Sequence, residues 1–303
     1  MVPPPNRSHI LTEQPNPSST GLDLLSIEAA VDLMNTQDAV AVAALGAQKA
    51  AIATAVRMVA AAFSAGGRLA TFGAGTSGRL AVLDAAECPP TFCTDPAMVV
   101  GIIAGGAPAL TRSIENVEDD ATAGASQVRN LLLGPNDVAL GIAAGGTTPF
   151  VHGALTEAKK RGAKTIFLVC TDPSHILLTP PPDLWLPILT GPEVLTGSTR
   201  LKAGTATKLV LNTITTLAMV QIGKTYGNLM VDIDALKNAK LTDRGARIIS
   251  AITKLDRAAA LELLGRAEGN VKRAIVMQAK GCSGEDADRL LQAAKGKLRA
   301  IIG

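Results

Sequence analysis

The sequence predicts an α/β protein, a three-layer αβα domain with a parallel sheet, followed by a small helical bundle. Two patterns lead to this fold class. From Arg68 to about residue 170, short apolar runs alternate with amphipathic segments, as in a parallel sheet with crossover helices. Beyond Leu241, short amphipathic stretches are separated by helix-capping residues. The 303 residues, 47% of them hydrophobic, suffice for one large domain with an appendage.

The amino-terminal part of the chain should contain an arm and a helix. Residues 1–22 are rich in Pro, Asn and Ser, which predicts an extended arm outside the core. A single long helix is expected next, ending at Gly66-Gly67. Its apolar stripe is typical of core packing, and an oligomer seam is the alternative. The stripe consists of Leu45, Ile52, Val56, Val59 and Phe63.

Strands and helices alternate in the region that follows. The paired prolines Pro89-Pro90 should end the first of these helices. Capping signals at Asp256, Asn270 and Ser283 divide residues 255–303 into three short helices. The predicted strands are 69–72, 98–104, 137–143, 165–170 and 184–189, and the predicted helices are 79–87, 121–133, 150–161 and about 200–223. The predicted domains are residues 1–22, 23–245 and 246–303, the last resembling a ubiquitin-associated bundle.

Composition argues against several classes of function. Lys and Arg number 29 against 26 Asp and Glu, and aromatic residues are scarce, so no nucleic-acid partner is expected. We recognise neither a signal peptide nor a membrane-spanning run, and we expect a soluble, cytoplasmic protein that binds no membrane. Cysteine and histidine lack zinc-site spacing, so no metal site is expected. These residues are Cys88, Cys93, Cys170, Cys282, His9, His152 and His175.

Two glycine-rich loops follow predicted strands. The first, residues 73–78, joins a strand to a helix, where unpaired backbone N–H groups and the helix dipole favour a phosphate or carboxylate. Its glycines allow close approach of a ligand, and Thr76 and Ser77 add hydroxyl donors. The second loop, residues 144–149, again combines glycine and threonine before a helix that should begin near Pro149. Both loops are therefore predicted to bind an anion at the carboxyl edge of the sheet.

Other interpretations of the first loop remain open. Gly73, Gly75 and Gly78 fit the dinucleotide pattern G-x-G-x-x-G, but the next strand ends in Gly105-Gly106 instead of an acidic residue. The same spacing fits a nucleotide P-loop, yet Arg79-Leu80 replaces the Lys and Ser or Thr that bind phosphate and magnesium. A tight turn without a ligand is the third alternative.

Three segments together resemble those of the N-acetylmuramic acid 6-phosphate etherases. They are GAGTSGRLAVLDAAECPPT at 73–91, IENVEDD at 114–120 and GPEVLTGSTRLKAGTATK at 191–208. Thr12-Glu13, Asn16, Ser19 and Asp23 also fit the family's amino-terminal pattern. The resemblance implies a sugar-isomerase fold, shared with glucokinase regulatory proteins, and a homodimer. It also implies cleavage of a lactyl ether by elimination and hydration, giving N-acetylglucosamine 6-phosphate and D-lactate without a cofactor.

The resemblance implies that two glutamates transfer the protons. Glu87 is the expected acid, since it stands at the predicted carboxyl end of a helix, where the dipole favours a protonated carboxyl. Glu118 is the expected base, beside Asp119 and Asp120, whose repulsion favours one shared proton. Glu115 and Asp119 remain rivals for the base. A solvated acidic run is the alternative without function.

The resemblance also gives substrate-binding candidates in three loops. They are Gly75, Thr76, Ser77, Gly145, Thr147, Thr148, Glu193, Ser198, Thr199 and Lys202. Capping of the following helix is the alternative for Ser198 and Thr199. Many relatives have Ser and Arg where this chain has Gly145 and Thr147, so a hydroxyl and a guanidinium are missing from the second loop. We expect this departure to change phosphate affinity or sugar preference, with Thr147 and backbone amides as substitutes.

Two other functions fit the same resemblance. A sugar-phosphate sensor that binds a partner protein would not need an acid and a base, so the presence of both Glu87 and Glu118 favours the enzyme. An aldose–ketose isomerase on the same fold is the other alternative. The identity of the product separates it from an etherase.

Overall fold

The computed structural model describes residues 7, 8 and 10–303, so His9 lies outside the described residues. The chain forms two compact units. The first contains the residues up to Ala86 together with Ala97–Thr215, and the second contains Glu87–Pro96 and Thr216–Gly303. The domain limits that the sequence suggested, at residues 22 and 245, stay a prediction.

A parallel sheet of five strands forms the centre of the first unit. The strand order is β2-β1-β3-β4-β5, and every neighbouring pair is parallel. The three central strands are almost entirely buried, whereas the two edge strands are partly exposed. A strand covered on both faces needs no polar alternation, which explains the continuous apolar runs of the central strands. The five predicted strands are therefore confirmed. They are β1 (Leu69–Gly73), β2 (Val99–Ile103), β3 (Val138–Ile142), β4 (Lys164–Val169) and β5 (Leu184–Pro187).

Helices accompany these strands, as the sequence predicted. Phe72 of β1 and Phe167 of β4 are fully enclosed in a core that also contains Phe150, and Phe167 stacks on Trp185 at 5.3 Å. Helices α3 and α6 contribute residues to both units. The helices are α1 (Ile27–Ala47), α2 (Lys49–Ser64), α3 (Gly75–Phe92), α4 (Ala121–Asn130), α5 (Pro149–Lys160) and α6 (Lys202–Gln221).

The expected single amino-terminal helix is wrong, because α1 and α2 meet at a bend of 67°. Gln48, between them, has φ −109° and ψ 18°, outside the helical region. Gly46, a poor helix former, lies just before this break. The expectation of core packing holds for α2, where Ile52 and Phe63 are buried, whereas α1 buries only two of its residues, Gln37 and Ala41.

The predicted end of the helix at the paired prolines is also wrong. Helix α3 continues through Pro89 and Pro90 to Phe92. Proline keeps a helical φ, so the chain can stay helical although the carbonyls one turn earlier lose their N–H donors. Glu87 consequently lies inside the helix and not at its carboxyl end.

The amino-terminal segment differs from the extended arm that its composition suggested. Its described residues form three 3-10 helices, Leu11–Glu13, Pro17–Ser19 and Leu22–Leu24. Ile10, Thr12 and Asn16 are buried. This segment therefore belongs to the packed part of the first unit.

The second unit contains the short helices of the tail. Asp256, Asn270 and Ser283 cap α8, α9 and α10 as predicted, each side chain accepting a backbone N–H bond. The sequence analysis missed the four-residue helix α11. Within the described chain, no single helix combines the length and the apolar composition needed to cross a bilayer, although the bent pair α1 and α2 meets those criteria together. The helices are α7 (Ala239–Thr253), α8 (Arg257–Arg266), α9 (Val271–Lys280), α10 (Gly284–Ala293) and α11 (Arg299–Ile302).

Candidate functional site

The strand order places a topological switch point between β1 and β3. The chain leaves β1 for β2 on one side and later returns to β3 on the other side. In the sheet register Gly73, the last residue of β1, is the partner of Ile142, the last residue of β3. The two glycine-rich loops therefore start side by side, at the position where open α/β sheets bind their ligands.

The first loop turns tightly into α3. A Cβ on Gly73 would lie 2.6 Å from the amide nitrogen of Gly78, and a Cβ on Gly78 would lie 2.5 Å from the Ile103 side chain. Gly75 has φ +51°. The N–H groups of Gly75, Thr76 and Ser77 belong to the first turn of α3 and precede its first intrahelical bond, so they can donate to an anion.

Arg79 has a role that the sequence analysis missed. Its Nε donates to the Leu110 carbonyl at 3.0 Å, and a terminal guanidinium nitrogen donates to the Arg112 carbonyl at 3.0 Å. Arg79 thereby joins the first turn of α3 to the segment that leads to Glu118. A basic residue placed just after a glycine loop was the only signal of this contact in the sequence.

The second loop is held by a histidine. Gly146, with φ +72°, donates its N–H to the Ala143 carbonyl at 2.9 Å. Its own carbonyl lies 2.7 Å from Nε2 of His152, whose pKa is lowered by burial. Helix α5 begins at Pro149 as predicted, and the hydroxyl of its N-cap residue Thr148 makes no capping hydrogen bond. Thr147 is half-buried beside it.

In the third segment, a buried carboxylate occupies the start of α6. Glu193 accepts the N–H of Lys202 at 2.9 Å and of Ala203 at 3.0 Å. Burial raises the pKa of Glu193, and these two hydrogen bonds oppose the rise. The first amides of α6 are thus capped by Glu193 instead of Ser198 or Thr199, both of which are half-buried.

Lys202 belongs to an internal polar network. Its side chain is buried, its Nζ donates to Oε1 of Gln37 at 2.9 Å, and burial lowers its pKa. The same Oε1 accepts from Nδ2 of Asn16 at 2.9 Å, and Nδ2 also donates to the Pro192 carbonyl at 3.0 Å. The network therefore connects α1 and the amino-terminal segment to the third segment.

The three predicted binding segments meet at the carboxyl edge of the sheet. A Cβ on Gly204 in α6 would lie 3.5 Å from the Thr76 methyl group, which joins the first and third segments. Gly197 donates its N–H to the Thr12 carbonyl at 3.2 Å. A Cβ on Gly145 would lie 3.4 Å from Ile10. The residues just before Glu13 are consequently neighbours of both the second and the third segment.

All four acidic side chains between residues 115 and 120 are exposed, and two of them make hydrogen bonds within this segment. Asp120 caps α4, accepting the N–H of Ala123 at 2.8 Å, and Glu115 accepts from the Ser113 hydroxyl at 2.9 Å. Glu118 and Asp119 are exposed in a 3-10 helix.

Glu87, the predicted acid, is exposed on α3. Glu87 belongs to the second compact unit, whereas Glu118 belongs to the first. The catalytic roles of Glu87 and Glu118 stay predictions. Among the described residues, no group of three or more His, Cys, Asp or Glu side chains is placed to hold a metal ion.

Comparison with known proteins gives the family. The model of the glucokinase regulatory protein N-terminal SIS domain matches residues 51–159. A solved phosphoheptose isomerase from Neisseria gonorrhoeae is 18% identical, with 65% of this chain and 98% of that chain covered and a TM-score of 0.47. The N-acetylmuramic acid 6-phosphate etherase of Synechococcus elongatus is 52% identical over 98% of this chain and 96% of its own length. The etherase of Crocosphaera subtropica is 51% identical with the same coverage. This chain belongs to the N-acetylmuramic acid 6-phosphate etherase family.

Proposed function

We propose that this protein is an N-acetylmuramic acid 6-phosphate etherase, a carbon–oxygen lyase of cell-wall amino sugar recycling. It cleaves the D-lactyl ether of its substrate and releases N-acetylglucosamine 6-phosphate and D-lactate. The observation that carries this conclusion is the identity of about half of all residues, along nearly the whole chain, to relatives of that name. A parallel sheet with two glycine-rich loops at its switch point suits a phosphorylated sugar.

The reaction needs two proton transfers. In the open-chain sugar, the aldehyde acidifies the C2 proton; a base removes it, the C3–oxygen bond breaks, and an acid protonates the departing lactate oxygen. Water then adds across the new double bond, with its oxygen at C3 and a proton returning to C2. We assign the acid to Glu87 and the base to Glu118. Engagement of Glu115 with Ser113 supports Glu118 over that rival.

Phosphate binding is assigned to the starts of α3 and α5. The N–H groups of Gly75, Thr76 and Ser77 precede the first hydrogen bond of α3, from Gly78 to the Ala74 carbonyl. We assign them to the phosphate, together with the hydroxyls of Thr76 and Ser77. In the second loop, Gly145, Thr147 and Thr148 supply amides and hydroxyls in place of a guanidinium.

The third segment is assigned two different tasks. The half-buried hydroxyls of Ser198 and Thr199 are the candidates for contact with the sugar. Glu193 and Lys202 make internal hydrogen bonds, and we infer that they serve the substrate by holding this segment in place. In this assignment Glu193 and Lys202 position the segment and do not contact the substrate.

An assay of D-lactate release from N-acetylmuramic acid 6-phosphate tests the function. Wild-type protein should release stoichiometric D-lactate, and Glu87→Gln should lose this activity while it still binds N-acetylglucosamine 6-phosphate. Glu118→Gln should behave likewise, whereas Glu115→Gln should keep most of the activity. Tight binding of the sugar phosphate without any lactate from wild type would instead support the sensor, and a ketose product would support the isomerase.

A homodimer is proposed because α1 exposes apolar side chains. Ile27 and Val31 on this helix are 80% and 60% exposed, and Leu24 just before it is 84% exposed. A second copy that covers this face would remove the apolar surface from water. The amino-terminal segment also lines a groove of about 540 Å³ with residues 194–196. Light scattering should give twice the 31.0 kDa chain mass, and Ile27→Asp with Val31→Asp should reduce it.

A cytoplasmic location is proposed from the cysteines. Within the described part of the chain no disulfide joins any of them, as is usual in a reducing compartment. They are Cys88, Cys93, Cys170 and Cys282. Fractionation of cells that express the protein at natural levels tests this location.

A further inference from the structure

The hydroxyl of Thr12 is buried without a hydrogen bond. Thr12 has 0% relative exposure, and its Oγ1 finds no partner among the described residues. A buried hydroxyl that is left unpaired costs about 1–3 kcal/mol, and most buried polar groups in folded proteins are paired. The structure therefore retains an unfavourable group at this position.

The surroundings of this hydroxyl are the predicted binding segments. Thr12 Oγ1 lies 4.0 Å from the position that a Cβ on Gly145 would take, in the second glycine-rich loop. The Thr12 carbonyl accepts the N–H of Gly197, in the third segment. The hydroxyl of Thr12 therefore lies beside the second loop, while its backbone carbonyl is bonded to the third segment.

Residues 10–13 are joined to their surroundings by backbone hydrogen bonds and by apolar contact. Besides the bond from Gly197, the N–H of Leu11 donates a long hydrogen bond to Oγ1 of Thr171 at 3.5 Å. Ile10 supplies apolar contact with Gly145. The segment is therefore packed against the second loop and hydrogen-bonded to the third segment.

We propose that residues 10–13 form one wall of the substrate site and that the Thr12 hydroxyl donates a hydrogen bond to the phosphate of the bound sugar. The proposal rests on the proposed function for the identity of the sugar. Without ligand the hydroxyl has no partner among residues 7, 8 and 10–303, and in the complex it gains a charged acceptor. No positive side chain lies among Ile10–Glu13, so the contribution is a single neutral donor beside the amides of the glycine loops.

Thr12→Val tests this role, because valine keeps the shape and removes the hydroxyl. Dissociation constants for N-acetylglucosamine 6-phosphate and for inorganic phosphate are measured by calorimetry or by competition. Both should weaken by about 10- to 100-fold, the range for a hydrogen bond to a charged group. Thr12→Ser, which keeps the donor, should stay within several-fold of wild type. The melting temperature of Thr12→Val should be unchanged or higher, since an unpaired buried polar group has been removed.

Thr165→Val is the matched control. Thr165 is equally buried, but it lies at the start of β4 and its hydroxyl donates to Oδ2 of Asp183 at 2.9 Å. Its replacement should lower the melting temperature and leave phosphate affinity unchanged. A loss of stability in Thr165→Val but not in Thr12→Val separates a structural hydroxyl from a ligand-binding one.

The outcomes for this proposal and for the proposed function are distinct. Unchanged phosphate affinity in Thr12→Val overturns the role of Thr12, even if the wild type releases lactate. Weakened binding of the sugar phosphate with normal binding of inorganic phosphate also overturns it, because the contact would then be to the sugar. Absence of lactate release from wild type overturns the proposed function, and the phosphate measurements still decide the role of Thr12.

Discussion

The bond between Gln37 and Lys202 gives a sharp prediction about stability. Oε1 of Gln37 accepts hydrogen bonds from both Nζ of Lys202 and Nδ2 of Asn16. Gln37→Leu removes that oxygen with little change in volume and leaves a buried ammonium and a buried amide donor without it. Hydrogen bonds to charged groups contribute about 1.5–3 kcal/mol and neutral ones about 0.5–1.5 kcal/mol. We therefore expect the free energy of unfolding to fall by about 2–4 kcal/mol.

A double-mutant cycle with Lys202→Met isolates the contact. Urea denaturation is measured for the wild type, the two single variants and Gln37→Leu/Lys202→Met. Removing both polar groups leaves no unpaired charge, so the double variant should be more stable than the sum of single effects by about 1–3 kcal/mol. Gln37→Glu, which keeps an acceptor, should lose less stability than Gln37→Leu. Additive effects within about 0.5 kcal/mol would refute the reasoning.

The pH dependence of the same lysine has a defined sign. Burial lowers the pKa of Lys202 in the folded protein, so between that value and about 10.4 the unfolded chain binds more protons. Stability from this group therefore rises with pH in that window and is lower on its acid side. The difference in unfolding free energy between wild type and Lys202→Met should shift in favour of wild type as the pH rises through the window. If the difference in unfolding free energy stays constant across this pH window, the pKa of Lys202 is not lowered and the reasoning is wrong.

Three further predictions follow from single positions. Gly78→Ala should lower the free energy of unfolding by about 1–3 kcal/mol and impair sugar-phosphate binding, because the new Cβ would lie 2.5 Å from the Ile103 side chain. Gly134→Ala is the control: its Cβ would meet nothing within 4 Å, so it should be nearly neutral in denaturation and binding assays. Burial lowers the pKa of His152, so stability should fall as the pH drops below about 6.5, and thermal melts of His152→Gln should show a smaller fall. Burial raises the pKa of Cys170 to about 12, and peptide mapping after iodoacetamide treatment at pH 8 should find exposed Cys93 modified and Cys170 intact.

Local patterns in the sequence predicted the sheet and both glycine-rich loops. The five strands are apolar runs, and the caps at Asp256, Asn270 and Ser283 depend on residues within three positions of each other. Their free energies come from short-range geometry and from burial on both faces of the sheet, which leave a visible trace in composition.

Contacts between distant residues were not predictable in the same way. Gln37 and Lys202 are 165 positions apart, and nothing in the local sequence of either residue indicates the other. The prediction that α3 ends at Pro89-Pro90 failed because the local effect of proline does not reveal tertiary contacts. Cys88 and Phe92, on either side of the prolines, are both buried. Among the candidate site residues, Glu193 and Lys202 were found by resemblance, but their internal partners were visible only in the fold.

The carboxylate of Glu193 has a consequence for how charge is balanced around the substrate. The starts of α3, α5 and α6 carry the predicted binding segments, and each start has a partial positive charge. At α6 this charge is already countered by an acidic group of the protein itself. A dianionic ligand therefore meets two uncompensated helix poles, at α3 and α5, and its negative charge should be drawn toward the β1–β3 side of the cleft, leaving the α6 side for the uncharged part of the sugar.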